Sequence, residues 1–425
     1  MPDSGMPASG PPGDARGAAS QRPRPGAGLR TAATTGVRVA RVVAFVLLAV
    51  AAFLVFPSLY CERQARPYLT ADATSRLRLV RGAAFQGEVV KGKDRFATGS
   101  SRFDGEWMLV TYAMTAAAAG QVYVRNPEEF DETLMVLRRA VERAVGPAAR
   151  QFDTEAWDGE DALYALGDDT HGHGAYLVYL ALALGWDRVL QPDGPWADLH
   201  DGVVAALERR LAGAPTGVFA SYPNEFYPAD SAIAAAAVSL HARVHGRGRP
   251  PVLDAWEVKF RANCIDPATG LVYQALGSAG TIEASLPRGS GTALAAWVLG
   301  GSHPQLSREL YAALLRHRYR DVFGFGGIRE YARGDSTDGD IDSGPLMFGF
   351  SPAATVYTLG SSRAQHDLRT FSRLYASAHF FGAPVEGDER RNFVVAGPLG
   401  DAVLAAALTT LEPGEYTRIG PEMNP

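Results

Sequence analysis

The chain contains 425 residues, of which 47% are hydrophobic and 20% are charged, and its formal net charge is −5. This composition supports a large buried core in one or two domains, and the negative balance excludes the basic surface typical of nucleic-acid-binding proteins. The two cysteines, Cys61 and Cys264, provide neither a disulfide framework nor the paired spacing of a zinc site.

The N-terminal region predicts a tail and a membrane segment. Residues 1–36 are rich in proline, glycine, alanine and serine, which predicts a disordered cytoplasmic tail. The uncharged apolar run 43–56, with its flanks, predicts a transmembrane helix over residues 37–59 that contacts the lipid bilayer. A cleaved signal peptide is the alternative, although the tail is long and no A-x-A site follows. More arginines precede the segment than follow it, so we expect a single-pass protein of the cell membrane whose main domain is extracytoplasmic.

The rest of the chain predicts one helix after another. We expect a juxtamembrane connector over residues 60–102 and an all-α domain over residues 103–415. Apolar residues recur at helical spacing in eleven segments, which Gly, Pro and Asp loops separate. The predicted helices cover residues 107–120, 127–145, 176–184, 196–211, 231–245, 253–263, 292–299, 306–318, 345–359, 367–381 and 399–411.

Two architectures fit this series of paired helices. One is a closed (α/α)6 toroid of six hairpins, and the other is an open helical solenoid. A solenoid requires a repeat of fixed length, and the sequence shows none. Several helices, such as residues 232–240, are apolar on more than one face, which favours the buried inner helices of a toroid. We therefore predict a toroid whose site lies on the loops that precede the inner helices.

Two of these loops combine carboxylates with other reactive side chains. The loop 168–174 places His171 and His173 beside two aspartates, a pattern that fits a catalytic histidine, a metal site or a capping loop without chemistry. The loop 221–230 carries Glu225 and Asp230 among aromatic residues, where burial would raise the pKa of a carboxyl group and make it a general acid. The alternatives are that Asp230 only favours the start of the following helix and that Glu225 is a solvated surface residue.

Further acidic loops follow. In the loop 330–345, Asp340 and Asp342 would face a substrate, while the alternating aspartates also suggest a Ca²⁺ loop or a solvated loop. In the segment 281–291, Glu283 and Arg288 would line the same opening. The glycines there do not form a phosphate-binding fingerprint. Tyr112 adds an aromatic surface for substrate, with a core position as the alternative.

The order of these motifs resembles the linalool dehydratase/isomerase family over residues 105–380. The resemblance rests on residues 107–114 before Asn126-Pro127, on 171–179, on 221–231, on 265–273 and on the helix that begins at Thr292. It implies a six-hairpin α/α toroid, with the family's catalytic histidine at His173. The family's two active-site cysteines match Ser221 and Asp230 here, so both are replaced. The resemblance also implies a catalytic aspartate near the N-terminus of the domain, for which we identify no counterpart.

These observations predict a membrane-anchored enzyme that catalyses acid–base (de)hydration or isomerisation of a hydroxylated small molecule. We expect Asp230 to act as general acid, His173 as proton acceptor, and Glu225 and Asp342 as orienting groups. Two alternatives remain: a carbohydrate-active hydrolase, lyase or epimerase that uses paired carboxylates, and a non-enzymatic cell-surface binding protein. The substrate would be a terpenoid alcohol or a carbohydrate, and we expect neither a metal nor a cofactor. The remaining predicted substrate-binding residues are Ser221, Tyr227, Glu283, Asp340 and Tyr112.

Overall fold

The computed structural model describes residues 27–70, 72–90, 96, 98–277, 285–332, 334 and 339–421, with only the backbone described for residues 27–36. The chain divides into two compact units, residues 1–54 and residues 55–425. Residues 1–26 of the predicted tail over residues 1–36 lie outside the described residues. Its last part is helical, because the run from Ala27 is rich in helix-forming residues and contains no proline before Pro57.

The N-terminal helix α1 covers Ala27–Arg63. Its segment Val37–Arg63 is long and apolar enough to cross a membrane, and its most apolar window is not buried in protein. Residues 37–54 rise about 27 Å along a helix, close to the thickness of a bilayer's hydrocarbon core. The predicted span, residues 37–59, thus falls on a helix of suitable length and composition.

Among the described residues of the second unit, twelve longer helices form an outer and an inner layer. The outer helices are α3 (Ala73–Val89), α5 (Phe130–Val145), α8 (Ala197–Gly213), α10 (Pro251–Asn263), α12 (Pro304–His317) and α14 (Leu368–Gly382). The inner helices are α4 (Ser101–Arg125), α7 (Gly174–Leu190), α9 (Pro228–Val244), α11 (Gly289–Val298), α13 (Pro352–Ala364) and α15 (Gly397–Thr409). The shorter elements among the described residues are α2 (Arg66–Leu69), α6 (Pro147–Ala156), the 3-10 turns Pro127–Glu129 and Glu415–Arg418, and the hairpins β1–β2 (Tyr319–Val322, Phe325–Ile328) and β3–β4 (Pro384–Glu386, Arg391–Phe393).

The inner helices pack against one another in chain order, and α15 packs against α4, which closes the ring. The outer helices cover this ring from outside, so the second unit is an (α/α)6 toroid, as the sequence predicted. The inner helices are buried on most faces, as α7 and α9 show. At the end of the ring where the inner helices terminate, the hydroxyl of Thr409 on α15 donates to Gln121 on α4 at 2.8 Å. The inner helices therefore begin at the opposite end.

Two boundaries differ from the sequence prediction. The predicted connector over residues 60–102 contains α3, an outer helix of the ring. Its arginines obscured the helical pattern, and one of them, Arg76, is buried against the carbonyl of Thr70. The helix predicted from residue 345 begins instead at Pro352, because Ser351 caps it by accepting a hydrogen bond from the backbone N–H of Ala354 at 3.1 Å.

Candidate active site

The N-terminal ends of the inner helices bring three carboxyl groups together. Glu106 lies on the second turn of α4, Asp230 on the first turn of α9, and Asp342 on the loop before α13. We call this group the acidic recess. Many protein atoms lie around each of the three carboxyl groups, while solvent reaches part of each side chain, most of all that of Asp342.

The loop before α9 holds Asp230 in a defined position. A short turn joins Tyr222 to Glu225, with Asn224 in the left-handed region at φ 62°. The turn directs the buried hydroxyl of Ser221 to the carboxylate of Asp230, which accepts its hydrogen bond at 2.5 Å. Because Pro228 starts the helix, Asp230 also lies in the first turn, where the helix dipole favours a negative charge.

Glu106 is the most strongly perturbed carboxyl group of the acidic recess. The hydroxyl of Tyr222 donates to its Oε2 at 2.6 Å. Burial, together with the charges of Asp230 and Asp342, raises the pKa of Glu106 to about 8, although the hydrogen bond from Tyr222 opposes the shift. Glu106 is therefore mostly protonated at neutral pH, when it can donate a proton.

The other two carboxyl groups titrate lower. Burial and the charge of Asp342 raise the pKa of Asp230 to about 6, while the hydrogen bond from Ser221 lowers it. Burial and the charge of Asp340 raise the pKa of Asp342 to about 6 as well. The amide of Gln274 donates to Asp342 at 3.1 Å. At neutral pH the acidic recess thus holds one protonated carboxyl group beside two that are mostly ionised, and the three titrate as a coupled set.

Tyrosine hydroxyls surround these carboxyl groups. Burial raises the pKa values of Tyr179 on α7, Tyr222 and Tyr357 on α13, and the charges of Asp230, Glu106 or Asp342 raise them further. These hydroxyls therefore stay protonated and can donate hydrogen bonds. The acidic recess accordingly combines carboxyl groups with tyrosine hydroxyl groups.

Glu225 and Asp340, both predicted site residues, are paired with arginines. Arg102 donates to Glu225 at 3.0 Å, and the hydroxyl of Tyr227 donates to the other oxygen of Glu225 at 2.8 Å. Arg288 binds Asp340 through both terminal nitrogens, which lowers the pKa of that carboxyl group against the opposing effect of burial. We interpret both as residues that fix the loops around the acidic recess.

Arg288 also anchors the start of α11. Its Nε donates at 2.7 Å to Glu330, which is fully buried. Glu330 accepts a second bond from the hydroxyl of Ser290 at 2.6 Å. One guanidinium thus connects a buried carboxylate to Asp340, two residues before Asp342, and sets the position of that loop.

His173 is fully buried in a separate network of hydrogen bonds. Its Nδ1 contacts Asp153 at 2.7 Å and its Nε2 contacts Glu160 at 2.8 Å, so both ring nitrogens have partners other than Asp230. Burial lowers the pKa of His173, but the hydrogen bonds and charges of Asp153 and Glu160 outweigh it and raise the pKa overall. The backbone packs beside the loop before α9, since Gly174 N–H donates to the carbonyl of Ala220 at 3.1 Å. The role of His173 as proton acceptor stays a prediction.

Glu160 also contacts the exposed side of this network. Its Oε1 accepts from His171 Nδ1 at 3.0 Å as well as from His173. The three side chains have the spacing and ligand types to hold a metal ion, with Asp153 orienting His173 from behind. Glu160 Oε1 already has hydrogen-bond partners in His171 Nδ1 and His173 Nε2, so the contact is explained without an ion.

The remaining predicted residues fall elsewhere. Tyr112 is buried on α4 with its ring against Gly87 of α3, and it lines a cavity of about 360 Å³ between α3, α4 and α5 on the outer side of the ring. It therefore does not face the acidic recess, because its position on α4 directs it toward the outer layer. Glu283 lies outside the described residues.

Sequence reasoning missed several residues of the site. Glu106 was overlooked because the helix was predicted to start only at Trp107; the first inner helix begins at Ser101. A carboxylate one residue before a long apolar run was the available signal. Tyr179 and Tyr357 lie inside apolar helices, where nothing in the sequence distinguishes them from core residues. Asp153 was missed because no helix was predicted over α6, and Glu160 was missed in the turn that follows it.

Comparisons with known proteins bear on the fold alone. No protein-family model matches the chain, and no curated protein matches its sequence. Among solved structures, the chain is similar to a GH76 alpha-mannanase from Bacteroides thetaiotaomicron at 11% identity and a TM-score of 0.43, over 80% of this chain and 96% of that chain. It is also similar to the Lin0763 protein from Listeria innocua at 12% identity and a TM-score of 0.47, over 78% of this chain and 97% of that chain. The assignment of the toroid rests on the closed ring of helix contacts.

Proposed function

We propose that the protein is an enzyme in which the acidic recess performs general acid–base catalysis on a polyhydroxylated substrate of the carbohydrate class. The observation that carries this proposal is the protonated Glu106 beside the ionised carboxylates of Asp230 and Asp342. Neighbouring carboxyl groups whose pKa values are pushed apart provide an acid and a base at the same pH.

The roles follow from protonation state and contacts. Glu106 donates a proton to the leaving oxygen, whereas the sequence had suggested Asp230 for that role. The carboxylate of Asp230, oriented by Ser221, removes a proton from an attacking water or from a carbon next to the leaving group. Asp342 binds substrate hydroxyls.

Two features favour a carbohydrate over a terpene. The carboxyl, tyrosine and serine groups of the acidic recess suit a substrate with many hydroxyls, whereas a terpene requires a mainly apolar lining. In addition, Phe348 is 94% exposed on the loop that carries Asp342, where its ring is free to stack on a sugar ring.

Dehydration or isomerisation of a smaller hydroxylated substrate is the second candidate. Ser221 and Asp230 occupy the two positions at which the resembling family has its active-site cysteines, and they contact each other directly. Acid-catalysed loss of water uses the same protonated Glu106 and the same base.

A binding protein without catalysis is less well supported. That alternative predicts carboxylates paired with arginines, as Glu225 and Asp340 are. Among the described residues, the hydrogen bonds of Glu106, Asp230 and Asp342 come instead from Tyr222, Ser221 and Gln274. Unpaired acids in a recess are typical of catalysis.

The test is an activity screen with the Glu106→Gln variant as its control. Wild-type protein is incubated with aryl glycosides, oligosaccharides and monoterpene alcohols, and products are identified by mass spectrometry. We expect sugar turnover with a bell-shaped pH profile between limbs near pH 6 and pH 8, and a loss of about 10²–10⁴-fold in kcat in the variant. Turnover of terpene alcohols alone, or unchanged sugar turnover in the variant, would contradict the proposal.

We further propose that α1 spans the bilayer and that the toroid is extracytoplasmic. The apolar exposed surface of residues 37–54 supports the span, and the excess of preceding arginines supports the orientation. Protease treatment of intact cells that express the full chain with a C-terminal epitope measures the orientation. Loss of the epitope is expected, and its protection in intact cells would contradict the orientation.

A further inference from the structure

Four side chains with metal-ligand chemistry meet at the end of the ring opposite the acidic recess. His200 and Asp201 belong to the outer helix α8, while His241 and His245 lie at i and i+4 near the end of the inner helix α9. We call them the imidazole cluster. From Asp230 to His241 the helix rises about 16 Å, so the cluster is remote from the acidic recess.

The contacts of the imidazole cluster converge on one carboxylate oxygen. Asp201 Oδ1 lies 2.7 Å from His241 Nε2 and 3.4 Å from His245 Nε2. The ring centroids of His200 and His241 are 4.8 Å apart, and one ligand atom from each of His200, Asp201 and His241 lies within 4.8 Å of the others. Tetrahedral zinc ligands are about 3.3 Å apart, so the side chains must rotate closer together to form a coordination shell.

His200 provides an independent sign of a missing ligand. Its side chain is 1% exposed, and neither ring nitrogen has a hydrogen-bond partner among the described residues. A buried imidazole without partners is costly, and such groups in native proteins are normally satisfied by water, an ion or a neighbour.

Asp201 supplies the one negative charge of the imidazole cluster. Its Oδ2 lies 3.5 Å from Arg188, so one oxygen faces the histidines while the other is held by a neighbour, as is common for carboxylates that ligate metals. The carboxylate would repel an anion. Arg247 donates to His241 Nδ1 at 3.0 Å. A metal ion on Nε2 of His241 would leave the ring proton on Nδ1, and the exposed Arg247 side chain is free to turn toward solvent in that case.

We propose that His200, Asp201, His241 and His245 bind one divalent cation of the zinc type, which joins the outer helix α8 to the inner helix α9. Three imidazoles and one carboxylate provide four ligands of types that Zn²⁺ binds in proteins. Four protein ligands close the coordination shell, so the site stabilises the fold and does not take part in catalysis.

The test uses the EDTA-treated full chain in detergent, titrated with Co²⁺ and Zn²⁺. We expect one Co²⁺ per chain with the intense visible bands of four-coordinate cobalt, and a rise in Tm on addition of Zn²⁺. Asp201→Ala and His245→Ala remove ligands that are only partly buried, so both variants should fold. Each should weaken metal affinity at least tenfold and abolish the rise in Tm.

His171→Ala is the matched control, because His171 belongs to the other group with metal-ligand spacing. This variant should bind Co²⁺ as the wild type does. The proposal is overturned if the wild type binds no metal, if Asp201→Ala and His245→Ala bind it unchanged, or if His171→Ala removes the cobalt bands, which would move the ion to the loop before α7.

Discussion

Glu106 links catalysis to stability through its protonation. Its pKa is about 8 in the folded protein and about 4.3 in an unfolded chain, so the folded state binds more protons between these values. The Glu106 contribution to the free energy of unfolding therefore becomes more unfavourable as the pH rises from about 4 to about 8, and it stays constant above that window. Residues that are costly to stability in this way are typical of active sites.

The variant Glu106→Gln should therefore be more stable than the wild type at neutral and alkaline pH. A neutral amide still accepts the hydrogen bond from Tyr222 but carries no charge to desolvate. We expect a Tm higher by about 2 °C or more at pH 8, and no difference near pH 4, measured by differential scanning calorimetry. Equal Tm values at pH 8 would show that Glu106 titrates normally.

Arg288 has the opposite role, because it neutralises a carboxylate that no solvent reaches. Replacing Arg288 with Gln leaves Glu330 buried without a counter-charge, and breaking such a pair costs about 3–5 kcal/mol. Asp340→Asn is the matched control, since its side chain is 43% exposed and its loss leaves the Arg288–Glu330 pair intact. Urea unfolding should place the first variant well below the wild type and the control within about 1 kcal/mol of it.

At the scale of helices, glycine sets how closely the layers approach. A Cβ on Gly360 of α13 would lie 2.4 Å from the indole nitrogen of Trp297 on α11, a nitrogen that donates to Thr410 at 2.7 Å. Gly360→Ala should therefore lower the free energy of unfolding by about 1–3 kcal/mol through overpacking.

Gly202 on the outer helix α8 provides the contrasting substitution. The nearest atom to its added Cβ is a methyl carbon of Leu166 at 3.6 Å, an ordinary contact. Gly202→Ala should increase stability by about 0.5–1 kcal/mol, because alanine loses less backbone entropy in a helix than glycine does. Thermal unfolding of the two variants side by side measures both effects, and a shift of the same sign in both would refute this account.

The sequence predicted those helices in which apolar residues recur at helical spacing. The inner helices α7, α9 and α15 consist mostly of apolar residues and were recognised. The outer helix α3 was missed because its arginines interrupt the helical spacing of its apolar residues. The spacing of apolar residues predicts which face of a helix is buried. It does not predict a buried polar residue whose hydrogen bonds come from distant parts of the chain.

At the scale of the whole molecule, the ring decides which residues form the site. Asp230 and Asp342 were predicted because both precede apolar helices, and the inner helices bring those starts together. Tyr112 and Glu106 show the limit of that reasoning: both are on α4, yet the helix turns one toward α3 and the other toward Tyr222. That rotation depends on packing between distant segments, which a single sequence does not encode locally.

The end of α1 belongs to the toroid and should contribute to its stability. The fully buried Ser58 donates to the carbonyl of Phe323 at 2.7 Å. Cys61, one helical turn further along α1, is also buried. Removing residues 1–54 should leave the thermal unfolding of the domain unchanged. Removing residues 1–64 deletes these contacts and should cost about 2–3 kcal/mol, seen as a lower Tm by circular dichroism. Equal Tm values for the two deletions would show that residues 55–64 serve only as a tether to the membrane segment.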